Sequence, residues 1–279
     1  MQLRPFGSTG VSVARIGQGT WQMEDDSAQG ASAALRAGLE LGMTHVDTAE
    51  LYGSGRVEEI VAGAIKGQRD RVFLVSKVIP TNASKQGTMK ACEATLKRLQ
   101  TDHLDCYLLH WPGSHPLEAT IDAFEALQRA GKIRSFGVSN FDESELAEAV
   151  HIAGPGKIAC NQVLYHLGER TIEHGVVPFC EENDIAVVGY TPFGRGEFPP
   201  PQGKKVLEGI AIARKATPRQ VALAFLTRNP RAFAIPKSSS VEHTRENAGA
   251  DGVTLSAEDI QAIDAAFPLG KRRRGVATL

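Results

Sequence analysis

The chain lacks most of the features that announce a location or a covalent staple. Cysteine is scarce: Cys92, Cys106, Cys160 and Cys180 are the four in 279 residues, and their spacings match neither CxxC nor a zinc pattern. That argues against a disulfide scaffold and a sequence-readable metal centre, and leaves buried free thiols in a reducing cytosol as the expectation. No apolar run follows a basic start, and none reaches the length of a bilayer crossing, so neither a secretory leader nor a membrane span is expected. Net charge is missing too: 31 Lys and Arg against 32 Asp and Glu leave −1, which gives no electrostatic footing for nucleic acid or an anionic membrane as main partner. A dinucleotide fingerprint is also absent, because "GQGTWQ" (17–22) lacks the third glycine of GxGxxG. A cytoplasmic monomer acting on a small molecule is the expectation that remains.

What is present is alternation. Hydrophobic residues make up 42% and charged residues 23%, an ordinary globular balance in a chain long enough to bury a core without staples. Strand-like runs at 13–19, 44–48, 71–78, 104–110, 133–140, 158–165, 185–192 and 232–238 alternate with amphipathic helical runs. The helices are expected at 27–42, 55–67, 84–100, 116–131, 143–153, near 176–183, at 206–216 and 218–229, around 241–249 and at 256–266, several with a stop glycine. Eight strand–helix units without a Pro/Gly/Ser linker predict one α/β domain over 1–279, a closed (β/α)₈ TIM barrel of parallel strands. The "GSTG" turn inside residues 1–15 predicts an N-terminal β-hairpin capping the barrel floor. A doubly wound open sheet is the runner-up.

Barrels of this kind carry their chemistry at the C-terminal strand ends. Asp47 ends the second strand, Lys77 the third and His110 the fourth, while Tyr52 lies in the loop after the second. Singly, each has a structural reading: Asp47 as a loop cap, Tyr52 as packing, Lys77 as a solvent-edge terminator, His110 as a satisfied core histidine. Four ionisable groups converging on one rim favour a shared role. A free phenol titrates near ~10, and a Lys77 cation beside Tyr52 is expected to lower that value. Asp47 would hold Lys77 in place, and a neutral His110 would orient a substrate carbonyl. The product is a phenol able to exchange a proton with a carbonyl oxygen.

The stretches "DTAELYG" (47–53), "SK" (76–77) and "LLHW" (108–111) resemble the aldo-keto reductase family. The resemblance covers nearly the whole chain, through "GQGTWQM" (17–23), "GKIRSFGVSNF" (131–141), "NQVLYH" (161–166), "GYTPFGRG" (189–196) and "IPKSSSVEHTRENA" (235–248). Residues 90–116 are most similar to the family's bacterial methylglyoxal-reductase-type members. The resemblance implies a catalytic tetrad of Asp47, Tyr52, Lys77 and His110, with Tyr52 the general acid. It implies hydride from a nicotinamide cofactor held on the rim without a Rossmann motif.

Cofactor contacts implied in the same way are Ser139, Asn140 and Gln162 at the nicotinamide carboxamide, with Tyr190 stacked on the ring. The loop holding Thr191, Pro192, Phe193 and Gly194 would bring backbone N–H groups to the pyrophosphate. Lys237, Ser238 and Ser239 would grip the 2′-phosphate of NADPH, with Glu246 and Asn247 at the adenine. His243 stands where the family commonly has arginine and holds a phosphate less strongly, so NADH use is also open. Trp21 and Trp111 are expected to wall the carbonyl site, with His166 and Phe193 adding to it. The tail at 268–279 is short, which predicts an open pocket, and its "KRRR" run reads as a solvated face. A small aldehyde or α-oxoaldehyde is the expected substrate. Two rivals are a non-catalytic nicotinamide-nucleotide sensor or regulatory subunit on the same barrel, and a Schiff-base aldolase working through Lys77.

Overall fold

The computed structural model describes residues 1–279. Strands β1 (Leu3–Pro5) and β2 (Ser12–Ala14) form an antiparallel hairpin. The other eight are β3 (Gln18–Gly19), β4 (His45–Asp47), β5 (Phe73–Val78), β6 (Leu104–Leu109), β7 (Ile133–Ser139), β8 (Ile158–Leu164), β9 (Ala186–Tyr190) and β10 (Ala232–Ile235), parallel neighbours in chain order. The sheet closes on itself: the Gly17 N–H donates to the Ala234 carbonyl at 2.8 Å and the Gly19 N–H to the Pro236 carbonyl at 3.1 Å. Closure removes the exposed sheet edge, and the result is the expected (β/α)₈ barrel.

Helices α1 (Ala28–Glu40), α2 (Arg56–Ile65), α3 (Lys85–Leu99), α4 (Leu117–Arg129) and α5 (Glu143–Ala153) follow β3 to β7 in turn. After β8 comes α6 (Val176–Glu182); α7 (Lys204–Arg214) and α8 (Pro218–Leu226) both follow β9; α9 (Val241–Gly249) and α10 (Ala257–Ala266) follow β10. Side-chain oxygens of Ser27, Ser84, Asp142, Thr217, Ser240 and Ser256 cap six of the helix starts, satisfying N–H groups that no helical carbonyl can reach. No helix is long and apolar enough to cross a membrane.

Period-two alternation places the site. The buried cluster inside the barrel takes Phe73 and Val75 from β5, Cys106 and Leu108 from β6, Ala186 and Val188 from β9, and Phe233 and Ile235 from β10. The next position along each series is polar: Lys77, His110, Tyr190 and Lys237. Each inward series runs from an apolar floor to a polar rim, as the ends of a barrel that binds at one face require. Phe6, fully buried, plugs the floor against Phe73 at 4.7 Å and Phe233 at 5.1 Å between ring centres. The hairpin therefore caps the barrel as expected, and all four cysteines are buried free thiols.

Some boundaries differ from the sequence expectation. The first strand, expected as one run over 13–19, is divided: Val13 and Ala14 belong to the hairpin and only Gln18–Gly19 to the barrel. Arg15 sits at the break, its guanidinium bound to Asp251 Oδ1 at 3.0 Å and to the Ala250 carbonyl at 3.0 Å. The strands expected to run to 192 and 238 stop at Tyr190 and Ile235. The helix expected over 206–216 starts at Lys204 and ends at Arg214, where Lys215 turns left-handed at φ 52°.

Candidate active site

Lys77 is fully buried at the rim end of β5, and each of its three ammonium hydrogens has an acceptor. Nζ donates to Asp47 Oδ1 at 2.6 Å, to the Thr48 carbonyl at 2.8 Å and to Tyr52 Oη at 3.3 Å. Asp47 is fixed from its other side by Gln162 Nε2, which donates to Oδ2 at 2.7 Å. A buried ion pair is tolerable only with such satisfaction, since desolvation otherwise exceeds the attraction. Burial disfavours the Lys77 cation, but the Asp47 carboxylate and Tyr52 outweigh it and hold its pKa above the ordinary value.

Tyr52 reaches this pair from the loop after β4. Gly53 at φ 53°, Ser54 at φ 53° and Gly55 at φ 93° then reverse the chain into α2, a left-handed run that its two glycines, though not Ser54, adopt without strain. His110 stands beside the phenol, its ring edge-on to Tyr52 at 5.7 Å. Burial, and then the Lys77 charge, push the His110 pKa down to about 2, so the ring is neutral. Its Nδ1 is buried without a hydrogen-bond partner. One electrostatic expectation is reversed. Burial pushes the Tyr52 phenol above its ordinary value, Lys77 pulls it down by less, and the Asp47 carboxylate adds to the rise.

A cavity of about 930 Å³ opens over these groups, with Asp47, Tyr52, His110 and Gln162 in its wall. Trp21 and Trp111 line its mouth; Trp111 is 38% exposed and rests on His110 at 4.7 Å. Ser139, Asn140 and Tyr190 form one connected polar wall. Asn140, left-handed at φ 62°, donates from Nδ2 to the His110 carbonyl at 3.1 Å and to Ser139 Oγ at 3.2 Å. Its Oδ1 accepts from Tyr190 Oη at 2.9 Å. Gln162 lines the cavity beside this wall, with one of its two amide hydrogens on Asp47 Oδ2. Thr191, at φ 52°, begins a tight turn through Pro192 and Phe193 in which the Gly194 N–H returns to the Thr191 carbonyl at 2.9 Å. Phe193 lines the cavity with the Arg219 guanidinium 4.6 Å above its ring. His166 does not line it; its Nδ1 accepts the Gly168 N–H at 3.1 Å within a turn of its own.

The loop after β10 splits the remaining expected residues. Lys237 lines the cavity, while Ser238, Ser239, His243, Glu246 and Asn247 lie outside its wall. Ser238 Oγ donates to the Ser240 carbonyl at 2.8 Å and so shapes the turn into α9. His243 is exposed on the first turn of that helix, its N–H on Ser240 Oγ at 3.4 Å. Glu246 accepts at its carbonyl from Gln220 Nε2 at 2.9 Å, and Asn247 is buried. Lys237 Nζ and Ser239 Oγ both donate to Asp26 Oδ2, each at 2.6 Å. Together these features suit an extended ligand with an anionic end: a polar wall at Asn140, an acid–base group beside it, and donors already arranged around a single oxygen.

A family model described as the aldo/keto reductase family matches residues 15–267. The chain is an aldo-keto reductase. It is 44% identical over 265 residues to the methylglyoxal reductase of Escherichia coli, covering 94% of this chain and 93% of that one. It is 33% identical to the glyoxal reductase of Bacillus subtilis, over 92% and 90% of the two chains. Among solved structures, an aldo-keto reductase from Klebsiella pneumoniae in complex with NADPH superposes with a TM-score of 0.93 at 42% identity, covering both chains completely.

Three features of this reductase escaped the sequence. Asp26 sits in the loop after β3 on the donors assigned to an anion, a role that the acidic run "EDD" (24–26) could have signalled. Arg195 also lines the cavity and covers the Trp21 ring at 5.1 Å. The tail contributes to the cavity: Gly275, Val276, Thr278 and Leu279 form part of its wall. The basic run is not simply solvated, because Arg272 pairs with Glu143 at 2.6 Å and Arg273 with Glu169 at 3.5 Å.

Proposed function

We propose that the protein reduces small aldehydes, including α-oxoaldehydes such as methylglyoxal, to alcohols, with NADPH as the preferred cofactor and Tyr52 as the proton donor. The observation that carries this reading is Lys77 Nζ held between Asp47 Oδ1 and Tyr52 Oη, with the neutral His110 ring against the phenol. The names of the similar proteins, a methylglyoxal reductase and a glyoxal reductase, support the substrate class, and the NADPH complex of the Klebsiella reductase supports the cofactor.

When bound, the nicotinamide supplies a hydride to the carbonyl carbon. The chain's own residues do the rest. Tyr52, with its phenol raised above its ordinary pKa, is protonated at neutral pH and ready to act as an acid. Its Oη gives up the proton as the substrate oxygen gains charge, and Lys77, 3.3 Å away, stabilises the phenolate left behind. His110, neutral, hydrogen-bonds the carbonyl and sets its direction. Ser139, Asn140 and Gln162 would orient the carboxamide, the Tyr190 ring would stack on the nicotinamide, and the turn from Thr191 to Gly194 would present backbone to the pyrophosphate. Lys237, Ser238 and Ser239 take the 2′-phosphate, with His243, Glu246 and Asn247 toward the adenosine end. Trp21 and Trp111 exclude water from the carbonyl. A Schiff-base role for Lys77 is disfavoured, because a lysine held cationic with all three hydrogens bonded cannot attack a carbonyl.

The decisive experiment follows NADPH oxidation against an aldehyde panel, with Tyr52→Phe beside the wild type. The variant is expected to bind NADPH normally and to lose turnover by about 10³-fold, within the usual range for a general acid. Retained turnover would remove Tyr52 from the mechanism. NADPH binding without oxidation of any aldehyde by the wild type would favour the sensor.

A further inference from the structure

We propose that Asp26 narrows the preference for NADPH over NADH by competing with the 2′-phosphate of NADPH for Lys237 and Ser239, while remaining in place when NADH binds. The inference rests on the reading above that these donors take the phosphate.

Asp26 precedes the Ser27 cap of α1, in the loop after β3, 211 residues from Lys237 in the chain. Its Oδ2 alone accepts from both Lys237 Nζ and Ser239 Oγ, at 2.6 Å each. One anionic oxygen thus gathers the donors that a phosphate oxygen would need, at the approach to the N-terminus of α9, where the helix dipole also favours negative charge. The hydrogen bonds from Lys237 and Ser239 hold the Asp26 carboxyl below the usual carboxylate range, so it is anionic at neutral pH. The pair is accessible, with the lysine side chain 35% and the aspartate 39% exposed, and Lys237 reaches the main cavity. A ligand entering there meets a lysine that is already paired.

The two cofactors differ at this point only. A 2′-phosphate brings a charge of about −1.5 to −2 and cannot share Lys237 with a carboxylate at contact distance without strong repulsion. NADPH must therefore expel Asp26 and forfeit the pair. NADH presents a neutral 2′-hydroxyl, which can donate to the carboxylate as it does to the acidic residue of dinucleotide folds. Asp26 weakens one cofactor and retains the other, compounding the absence of arginine at His243.

The test measures binding without turnover. Tryptophan-fluorescence titration gives Kd for NADPH, NADH, adenosine 2′,5′-bisphosphate and adenosine 5′-phosphate on the wild type, Asp26→Asn and Lys237→Met. Asp26→Asn preserves side-chain size and one acceptor but removes the charge. It is expected to tighten NADPH and the bisphosphate about fivefold, close to the most that an exposed ion pair is worth, and to leave NADH and the monophosphate unchanged or weaker. An equal change for both cofactors, or looser NADPH binding, would make Asp26 a mere tether between loops and overturn the proposal. Lys237→Met should weaken NADPH selectively. Selective loss there with no response from Asp26→Asn defeats the competition alone, whereas equal losses for both cofactors defeat the phosphate assignment and this inference with it.

Discussion

His45 and His110 stand at opposite ends of one barrel, and both are neutral, buried and short of a hydrogen-bond partner. His45 sits on the floor among Phe6, Phe73 and Phe233, with ring centres 5.6, 5.7 and 6.4 Å away. Both its nitrogens are unpartnered, and burial, with a smaller push from Lys77, takes its pKa down to about 3. His110 lines the cavity at the rim beside Tyr52. An unsatisfied buried polar group costs about 1–3 kcal/mol wherever it lies. The difference between the ends is access: at the rim a ligand can reach the ring, and at the floor nothing can. On the proposed mechanism the same anomaly is chemistry at one end and a tolerated cost at the other, and the surroundings decide which.

The largest expected effect breaks the rim. Lys77→Met removes one member of a buried ion pair and leaves Asp47 charged with only Gln162 on its carboxylate. Such truncations cost about 3–5 kcal/mol, and the loss of Tyr52's neighbour should lower turnover by about 10³-fold. Urea unfolding and NADPH oxidation on one preparation check both. A stable, active variant would refute the coupling of Lys77 to Tyr52.

Exchanging the histidines sharpens the comparison at smaller cost. His110→Leu should reduce turnover about 10²-fold at little cost in stability, because one sealed polar nitrogen disappears. His45→Leu should leave turnover intact and change the acid response. The folded pKa of His45 is depressed to about 3 from the ordinary imidazole value of about 6.5, so the unfolded chain takes up this proton at a higher pH than the fold does. Stability therefore falls as pH drops from about 6.5 to 3, by about 1.4 kcal/mol per pH unit for this group. His45→Leu removes that slope, and urea midpoints between pH 7 and pH 4 measure it. An unchanged slope would mean that the fold does not hold the His45 pKa below that of the unfolded chain.

Why the rim was legible and its tuning was not follows from the same contrast. Side-chain parity is written in the sequence, so Asp47, Lys77 and His110 could be assigned to strand ends by counting. The eight-unit barrel followed from the alternation of runs. What needs distances between strands was not available to counting. Gln162 is 115 residues from Asp47 yet is bonded to it, and the sign of the Tyr52 shift depends on burial competing with two opposite charges. The short β3 was hidden because "VARIGQG" reads as one apolar run, although Arg15 is turned aside to Asp251. Asp26 and the tail escaped for a similar reason, since loop residues carry no period to reveal their partners.

The smallest effect tests how the two ends are covered. The floor is sealed by Phe6, fully buried, whereas the rim is partly covered by a tail whose Val276 and Leu279 line the cavity. That tail is pinned by Arg272 to Glu143, with side chains 62% and 39% exposed. An exposed pair of this kind is worth at most about 1 kcal/mol, which bounds the response: Arg272→Ala cannot shift an equilibrium by more than about fivefold. The expected result is an aldehyde KM raised about two- to threefold, with the urea midpoint unchanged, since a surface substitution of this kind moves stability by no more than about 0.5 kcal/mol. The KM effect should be greater for bulky aldehydes than for methylglyoxal, because only a larger substrate reaches the tail's apolar side chains. Equal KM values for wild type and variant across the panel would show that the tail keeps its place without the pin. A large loss of stability would show that the rim, like the floor, is held shut by the core itself.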